Sequence, residues 1–159
     1  MSLGIIPPAL WVLIMAAAPV VELRGAIPLA WQMGFNPGEA FFLSVLGNLI
    51  PVLPILFLLR IVRNFLEENI SFFRSFFRWL DERTHRRSDK VEKYGFVGLI
   101  LLTAVPLPTT GAWTASLVAI LFKLPVWPSF LAIFSGVIIA GLIVMLITFG
   151  FLSSLLGVG

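Results

Sequence analysis

Uncharged, mostly apolar sequence fills residues 3–21, resumes over 26–35 and continues over 40–59. A charged stretch at 60–93 interrupts it, and apolar runs return at 96–105, 112–122 and 129–152. The hydrocarbon core of a bilayer is about 30 Å thick and takes roughly 20 helical residues to cross. Residues 40–59 and 129–152 meet that length, with kinks expected at Pro51 and Pro54 in the first. The runs at 26–35, 96–105 and 112–122 carry a helix only about half way. Their simplest path is a re-entrant hairpin that enters the membrane, breaks and returns to the same side. The pattern therefore predicts two hairpins, broken at 19–28 and at 106–111, each followed by one full span. Asn36-Pro37-Gly38 and Lys123-Leu124-Pro125 close them as turns.

Irregular backbone at membrane depth survives only where protein or a wet cavity solvates it, so both breaks are expected to face inward. The first is Pro19-Val20-Val21-Glu22-Leu23-Arg24-Gly25-Ala26-Ile27-Pro28-Leu29, and the second is Pro106-Leu107-Pro108-Thr109-Thr110-Gly111-Ala112-Trp113-Thr114. Together they form the candidate site: Glu22, Arg24, Gly25 and Pro28 facing Pro106, Pro108, Thr109, Thr110, Gly111 and Thr114. An ionisable side chain inside a membrane costs at least about 2.5 kcal/mol, which makes Glu22 and Arg24 the sharpest signal. In a functional reading Glu22 carries a proton and the planar fork of Arg24 holds a phosphate or anionic headgroup. A half-helix N-terminus at the second break adds N–H groups for the same anion. In a structural reading Arg24 caps half-helix carbonyls, Glu22 neutralises it, and the threonines satisfy carbonyls freed by Pro106 and Pro108. Trp31 and Trp113, after each break, are expected to pack, with lining the cavity or anchoring at an interface as the alternatives. Asn48, mid-span, is expected to bond another helix, with a role in the site as the alternative.

Within 60–93, Leu66, Ile70, Phe73, Phe77 and Leu80 recur at four- and three-residue spacing, widened by Phe65, Phe72, Phe76 and Trp79. Glu67, Ser71, Arg74 and Arg78 take the opposite face. The stripe predicts an amphipathic helix lying either in the membrane interface or on the protein's own cytoplasmic face. Its basic excess marks the cytoplasmic side.

The two halves match in order. Pro19 pairs with Pro106, Gly25-Ala26 with Gly111-Ala112, Pro37 with Pro125 and Gly47 with Gly136, at separations of 86 to 89 residues. One full span per half reverses the side from which each hairpin enters, so this is an inverted repeat with both termini outside. The expected fold is an all-α integral membrane protein of one domain, residues 1–159: repeat 1 at 1–62, an amphipathic linker at 63–93 and repeat 2 at 94–159. Small residues at four-residue spacing (Ala26, Ala30, Gly34; Ala112, Ser116; Ala132, Gly136, Ala140) allow hairpin to pack on span, or one copy on another as a homodimer.

Composition agrees. The chain is 59% hydrophobic and 12% charged, against about 25% charged in an ordinary soluble domain. The net charge of +3 does not point to nucleic acid, because nine of eleven Lys/Arg and six of eight Asp/Glu share residues 60–93. The uncharged first 21 residues lack the basic start of a secretory signal and are expected to be retained. Cysteine is absent, and the one histidine, His85, lies in the charged loop. No metal, cofactor, nucleophile elbow or phosphate-cradling loop is expected, and no enzymatic activity.

Val21-Glu22-Leu23-Arg24-Gly25-Ala26-Ile27-Pro28, Leu46-Gly47-Asn48 followed by Pro51, Lys93-Tyr94-Gly95, and Val105-Pro106-Leu107-Pro108 with Thr110-Gly111-Ala112-Trp113-Thr114 resemble the small multidrug export protein family of bacteria and archaea. That family is regarded as a distant relative of the DedA superfamily, whose members are thought to carry two opposed re-entrant hairpins. DedA proteins are implicated in proton-coupled lipid-carrier recycling, lipid scrambling and drug tolerance. The resemblance implies a prokaryotic cytoplasmic membrane, lipid as a partner and a small amphipathic or anionic substrate. Glu22 matches the acidic position of the first DedA-like hairpin. The second hairpin departs from that pattern, carrying no arginine between Pro106 and Thr114, and Thr109 stands where many small multidrug export relatives have glycine. The alternative expectation is a non-transporting membrane scaffold that binds lipid or partner helices.

Overall fold

The computed structural model describes residues 7–85, 88–105, 110–151 and 154, and these are helical apart from short breaks. Helix α1, Pro8–Ala17, starts with proline in its first turn and stops because Ala18, preceding Pro19, is extended (φ −70°, ψ 137°). Helix α2, Glu22–Gln32, follows. Helix α3, Pro37–Leu49, opens on a capping box: Asn36 Oδ1 accepts the Glu39 N–H at 2.9 Å and Glu39 accepts the Asn36 N–H at 3.2 Å. Helix α4, Val52–Asn69, continues it through a helical backbone at Ile50 and Pro51. Then come α5, Ser71–His85; α6, Ser88–Ala104; α7, Ala112–Leu121; and α8, Val126–Met145, extended by a π-helical turn, Leu146–Phe151.

Two helical stretches, Pro37–Asn69 and Val126–Gly150, are long and apolar enough to cross a membrane. They bury only 35% and 39% of their most apolar windows. The remainder displays Phe42, Ile50, Phe57, Ile61, Leu131, Leu142 and Ile147 outward. Soluble monomers rarely expose contiguous apolar surface on this scale, and lipid is the solvent that suits it.

Three boundaries differ from the sequence reading. The first break is short, residues 18–21, so Arg24, Gly25 and Pro28 lie inside α2. The span beginning at Pro37 runs on through Arg63 to Asn69, because Arg63 turns its charge inward onto helix-end carbonyls. The amphipathic stripe is parted at Ile70, which is extended (φ −125°, ψ 113°). In the stripe, Phe77 is buried against the protein while Phe65, Phe72, Phe76 and Trp79 stay exposed. One side of the stripe therefore packs on the protein, and the other side is exposed.

Helix α1 packs on α3, and α6 on α8. In each pair a glycine permits the approach. A Cβ on Gly47 would meet Leu13 O at 2.6 Å and Ala16 Cβ at 2.7 Å, and one on Gly136 would meet Ile100 O at 2.8 Å beside Thr103. Backbone atoms cannot retreat as a side-chain tip can, so Gly136→Val should destabilise the protein by about 2 kcal/mol. Equilibrium unfolding in mixed micelles would measure it, and an unchanged midpoint would show that the α6–α8 contact is looser than described.

Phe149, at the far end of α8, packs with Phe35 against the small-residue cluster of Val12, Ala16, Ala26, Ala30 and Ala40. Lys123-Leu124-Pro125 directly precedes the near end of α8. At 1.5 Å per residue the helix separates these ends by about 30 Å. The two turns thus lie at opposite ends of α8.

Candidate functional site

The two breaks meet through Glu22. This residue opens α2 with a left-handed backbone (φ 49°), which costs a non-glycine residue about 1–2 kcal/mol. It is only 6% exposed. Its carboxylate lies against Gly111, where an added Cβ would overlap it, and Oε1 accepts a long hydrogen bond from the Trp113 N–H at 3.5 Å. Gly111 is the N-cap of α7 and brings no capping side chain. The first N–H groups of a helix have no internal partners and carry partial positive charge. Glu22 supplies the missing cap from the other half of the chain.

The neighbours follow the same logic. An Arg24 guanidinium nitrogen donates to Val105 O at 3.2 Å, just past the end of α6. Thr110 Oγ1 donates to that carbonyl at 3.1 Å. Trp113 Nε1 donates to Ala17 O at 3.1 Å, in the last turn of α1. Glu22 and Arg24 therefore diverge, one to the start of α7 and the other to the end of α6. Arg24 thus makes the carbonyl contact of its structural reading. Trp113 holds α1 through its indole bond.

The other sequence candidates are placed less centrally. Pro28 sits inside α2, where its missing N–H leaves the Arg24 carbonyl without a helical donor. Gly25 is crowded by its own neighbour Val21. Thr114 is half-buried in the first turn of α7. Pro106, Pro108 and Thr109 lie outside the described residues. Thr103 and Ser116 donate to carbonyls four residues back, Leu99 O and Ala112 O, each at 2.7 Å, the common role of hydroxyls in membrane helices. Asn48 departs from expectation: it is 1% exposed and its amide has no partner among the described residues, nor has Ser44 one turn earlier.

A second polar cluster, at the opposite end of α7, escapes the sequence reading. Arg63 is 4% exposed. One guanidinium nitrogen donates to Ile120 O at 2.7 Å and Leu121 O at 2.8 Å, capping the C-terminus of α7. The other reaches Asp81 at 2.8 Å and Glu67 at 3.3 Å. The guanidinium also lies 4.5 Å from the Phe77 ring centroid, a cation–π contact. Lys123 bonds Asp81 and comes within 3.8 Å of Glu67. The cluster thus ties α4, α5 and the α7 end together. The available signal is the four-residue spacing of Arg63 and Glu67 on one helix face; its partners, 18 to 58 residues away, leave no local trace.

Burial raises the Asp81 carboxyl, but hydrogen bonds from Lys123 and Arg63, and their charges, outweigh it and hold the group below its ordinary value of 3.8. A carboxyl depressed in the folded state stabilises fully above its unfolded value and loses that contribution as pH falls through the folded one. The melting difference between wild type and Asp81→Asn should therefore be present at pH 6 and shrink toward zero below pH 3.8. A difference constant across that range would remove the ion pairs from the stability of α5.

Comparison with known proteins places the chain in a family. The family model described as "Putative small multi-drug export protein" matches residues 22–143, from Glu22 to beyond the middle of α8. No curated protein and no solved structure matches the chain. With two apolar helices of spanning length and a family match over most of its residues, the chain is a membrane protein and belongs to the small multi-drug export protein family.

Proposed function

We propose that the protein is a non-enzymatic, multi-pass transporter or flippase of a prokaryotic cytoplasmic membrane. It moves an anionic or amphipathic substrate, a lipid-carrier phosphate or a drug-like molecule, between two opposed re-entrant hairpins. The observation that carries this reading is the buried Glu22 carboxylate serving as the N-terminal cap of α7. An ionised carboxylate suits that helix end, whereas a protonated one loses the charge that favours it. Because α7 is held at its other end by Arg63, protonation of Glu22 frees one end only. The helix can then pivot, which couples a proton to exposure of the site.

Opposed hairpins are supported by the placement of the two turns at opposite ends of α8 with the breaks meeting between them. An inverted repeat is supported by equivalent contacts: Gly47 on Leu13 and Ala16 corresponds to Gly136 on Ile100 and Thr103, pair by pair along the two halves. A distant DedA relationship is part of the same proposal, as are surrounding lipid and a homodimer.

A scaffold reading keeps one specific support: the hydrogen bonds of Arg24 and Trp113 end on helix carbonyls. Proteoliposome flux of a fluorescent drug and an isoprenyl-phosphate analogue, with and without a pH gradient, separates the two. We expect gradient-driven movement that drops at least tenfold in Glu22→Gln while the melting temperature holds. No movement of either compound by folded wild type, with a large melting loss in Glu22→Gln, would favour the scaffold.

A further inference from the structure

The hairpin turns of the two halves are built alike, with one exception. In the first, Phe35 N–H bonds Ala30 O at 3.1 Å and Gly34 N–H bonds Trp31 O at 3.0 Å, with Gly34 left-handed (φ 86°). In the second, Leu124 N–H bonds Ala119 O at 2.9 Å and Lys123 N–H bonds Ile120 O at 3.1 Å, with Lys123 left-handed (φ 53°). This is the Schellman closure, whose left-handed position normally belongs to glycine. Lysine occupies it at a conformational cost, and strain of this kind persists where the side chain has a task.

Beside Lys123 lies a cavity of about 320 Å³, lined by Leu56, Arg63, Asn64, Ile120, Lys123, Leu124 and Val126. Among the described residues its lining holds two cations and an amide, and no carboxylate. Asp81 and Glu67 grip the same cations but do not line the cavity. Arg63 Nε has no partner among the described residues. Helix α8 begins at the cavity with Val126, and its N-terminus has no side-chain cap, so the positive end of that helix adds to the two cations. The other wall, Leu56, Ile120, Leu124 and Val126, is aliphatic. Lys123 is half exposed and can meet a ligand from outside.

We infer that this cavity binds a phosphate group borne by an amphiphile, with the phosphate on Lys123, Arg63 and Asn64 and the apolar chain along Leu56, Leu124 and Val126. It is a second site, separated from the Glu22 cap by the ten residues of α7, about 15 Å. It does not depend on the transport reading, since it would hold an anionic lipid whether or not the hairpins move a substrate.

The test uses the full chain in phosphatidylcholine nanodiscs, with native mass spectrometry counting bound dioctanoyl phosphatidic acid against dioctanoyl phosphatidylcholine, and inorganic phosphate as competitor. Saturable binding of phosphatidic acid, at least tenfold tighter than phosphatidylcholine, is expected. Lys123→Gly removes the ammonium and suits the left-handed backbone. Val126→Trp fills the apolar wall and leaves every charge in place. Each should weaken binding at least tenfold in protein that still melts cooperatively. Displacement by millimolar phosphate would identify the free anion as sufficient; bound lipid that resists phosphate would identify the amphiphile. No anionic preference in wild type, or binding unchanged in both variants, overturns the site.

Discussion

Arg63→Ala is expected to destabilise the protein by about 3–5 kcal/mol, the usual loss when one partner of a buried ion pair is removed. The substitution leaves Ile120 and Leu121 carbonyls without their donor and Asp81 and Glu67 without their buried cation. It also empties the space in front of Phe77, the side chain through which α5 packs on the protein. Arg63→Lys tests the geometry separately. An ammonium keeps the charge but lacks the planar fork that reaches carbonyls on one side and carboxylates on the other, so it should recover less than half of the loss. Equilibrium unfolding in mixed micelles reads both. A loss below about 1 kcal/mol for Arg63→Ala, the level of exposed pairs, would show that the cluster is solvated and does not anchor α7.

Gly111→Val is expected to have the largest effect on function. The new Cβ would occupy the place of the Glu22 carboxylate. The conflict is steric, since Gly111 is extended (φ 168°, ψ −161°) and other residues adopt that backbone. Either Glu22 leaves the α7 N-terminus or α7 moves away from α2. Overpacking of this kind costs about 1–3 kcal/mol, and we expect flux to be abolished along with it. Shortening the partner should relieve the clash. In a double-mutant cycle, Glu22→Ala with Gly111→Val should be more stable than the sum of the single variants predicts, by about 1 kcal/mol or more. Additive losses would mean that the two residues do not touch. Stability restored without flux would identify the carboxylate as necessary for transport, whereas flux restored with it would leave Glu22 a spacer.

These substitutions bear on how the breaks are organised. A membrane has no water to satisfy a half-helix end, and each orphaned group costs several kcal/mol. The chain meets this with side chains exchanged between halves: Glu22 and Arg24 serve α7 and α6, and Trp113 serves α1. The candidate site and the fold are therefore built from the same contacts. The unpartnered amide of Asn48 and the hydroxyl of Ser44 show that polar groups in α3 remain unmet by the described residues.

The sequence by itself determined the helical class, the two stretches long enough to span, the start of the first break to within a residue, and Glu22 and Arg24 as the residues needing an explanation. These follow from local quantities: run length against bilayer thickness, proline geometry and the cost of buried charge. The glycine pairing of Gly47 and Gly136 was visible too, because close helix approach requires that residue at equivalent points. Tertiary structure alone decided where each charge goes. Glu22 and Arg24 are two residues apart, yet their partners are 91 and 81 residues away and on different helices. Arg63 read as one cation among the charges of 60–93, and only the packing of α4 on α7 turned it inward. Lys123 looked like a turn residue, and its cavity exists only once α8 folds back beside α4. Hydrogen bonds that close helix ends depend on which ends meet in space, and spacing along a chain does not contain that information.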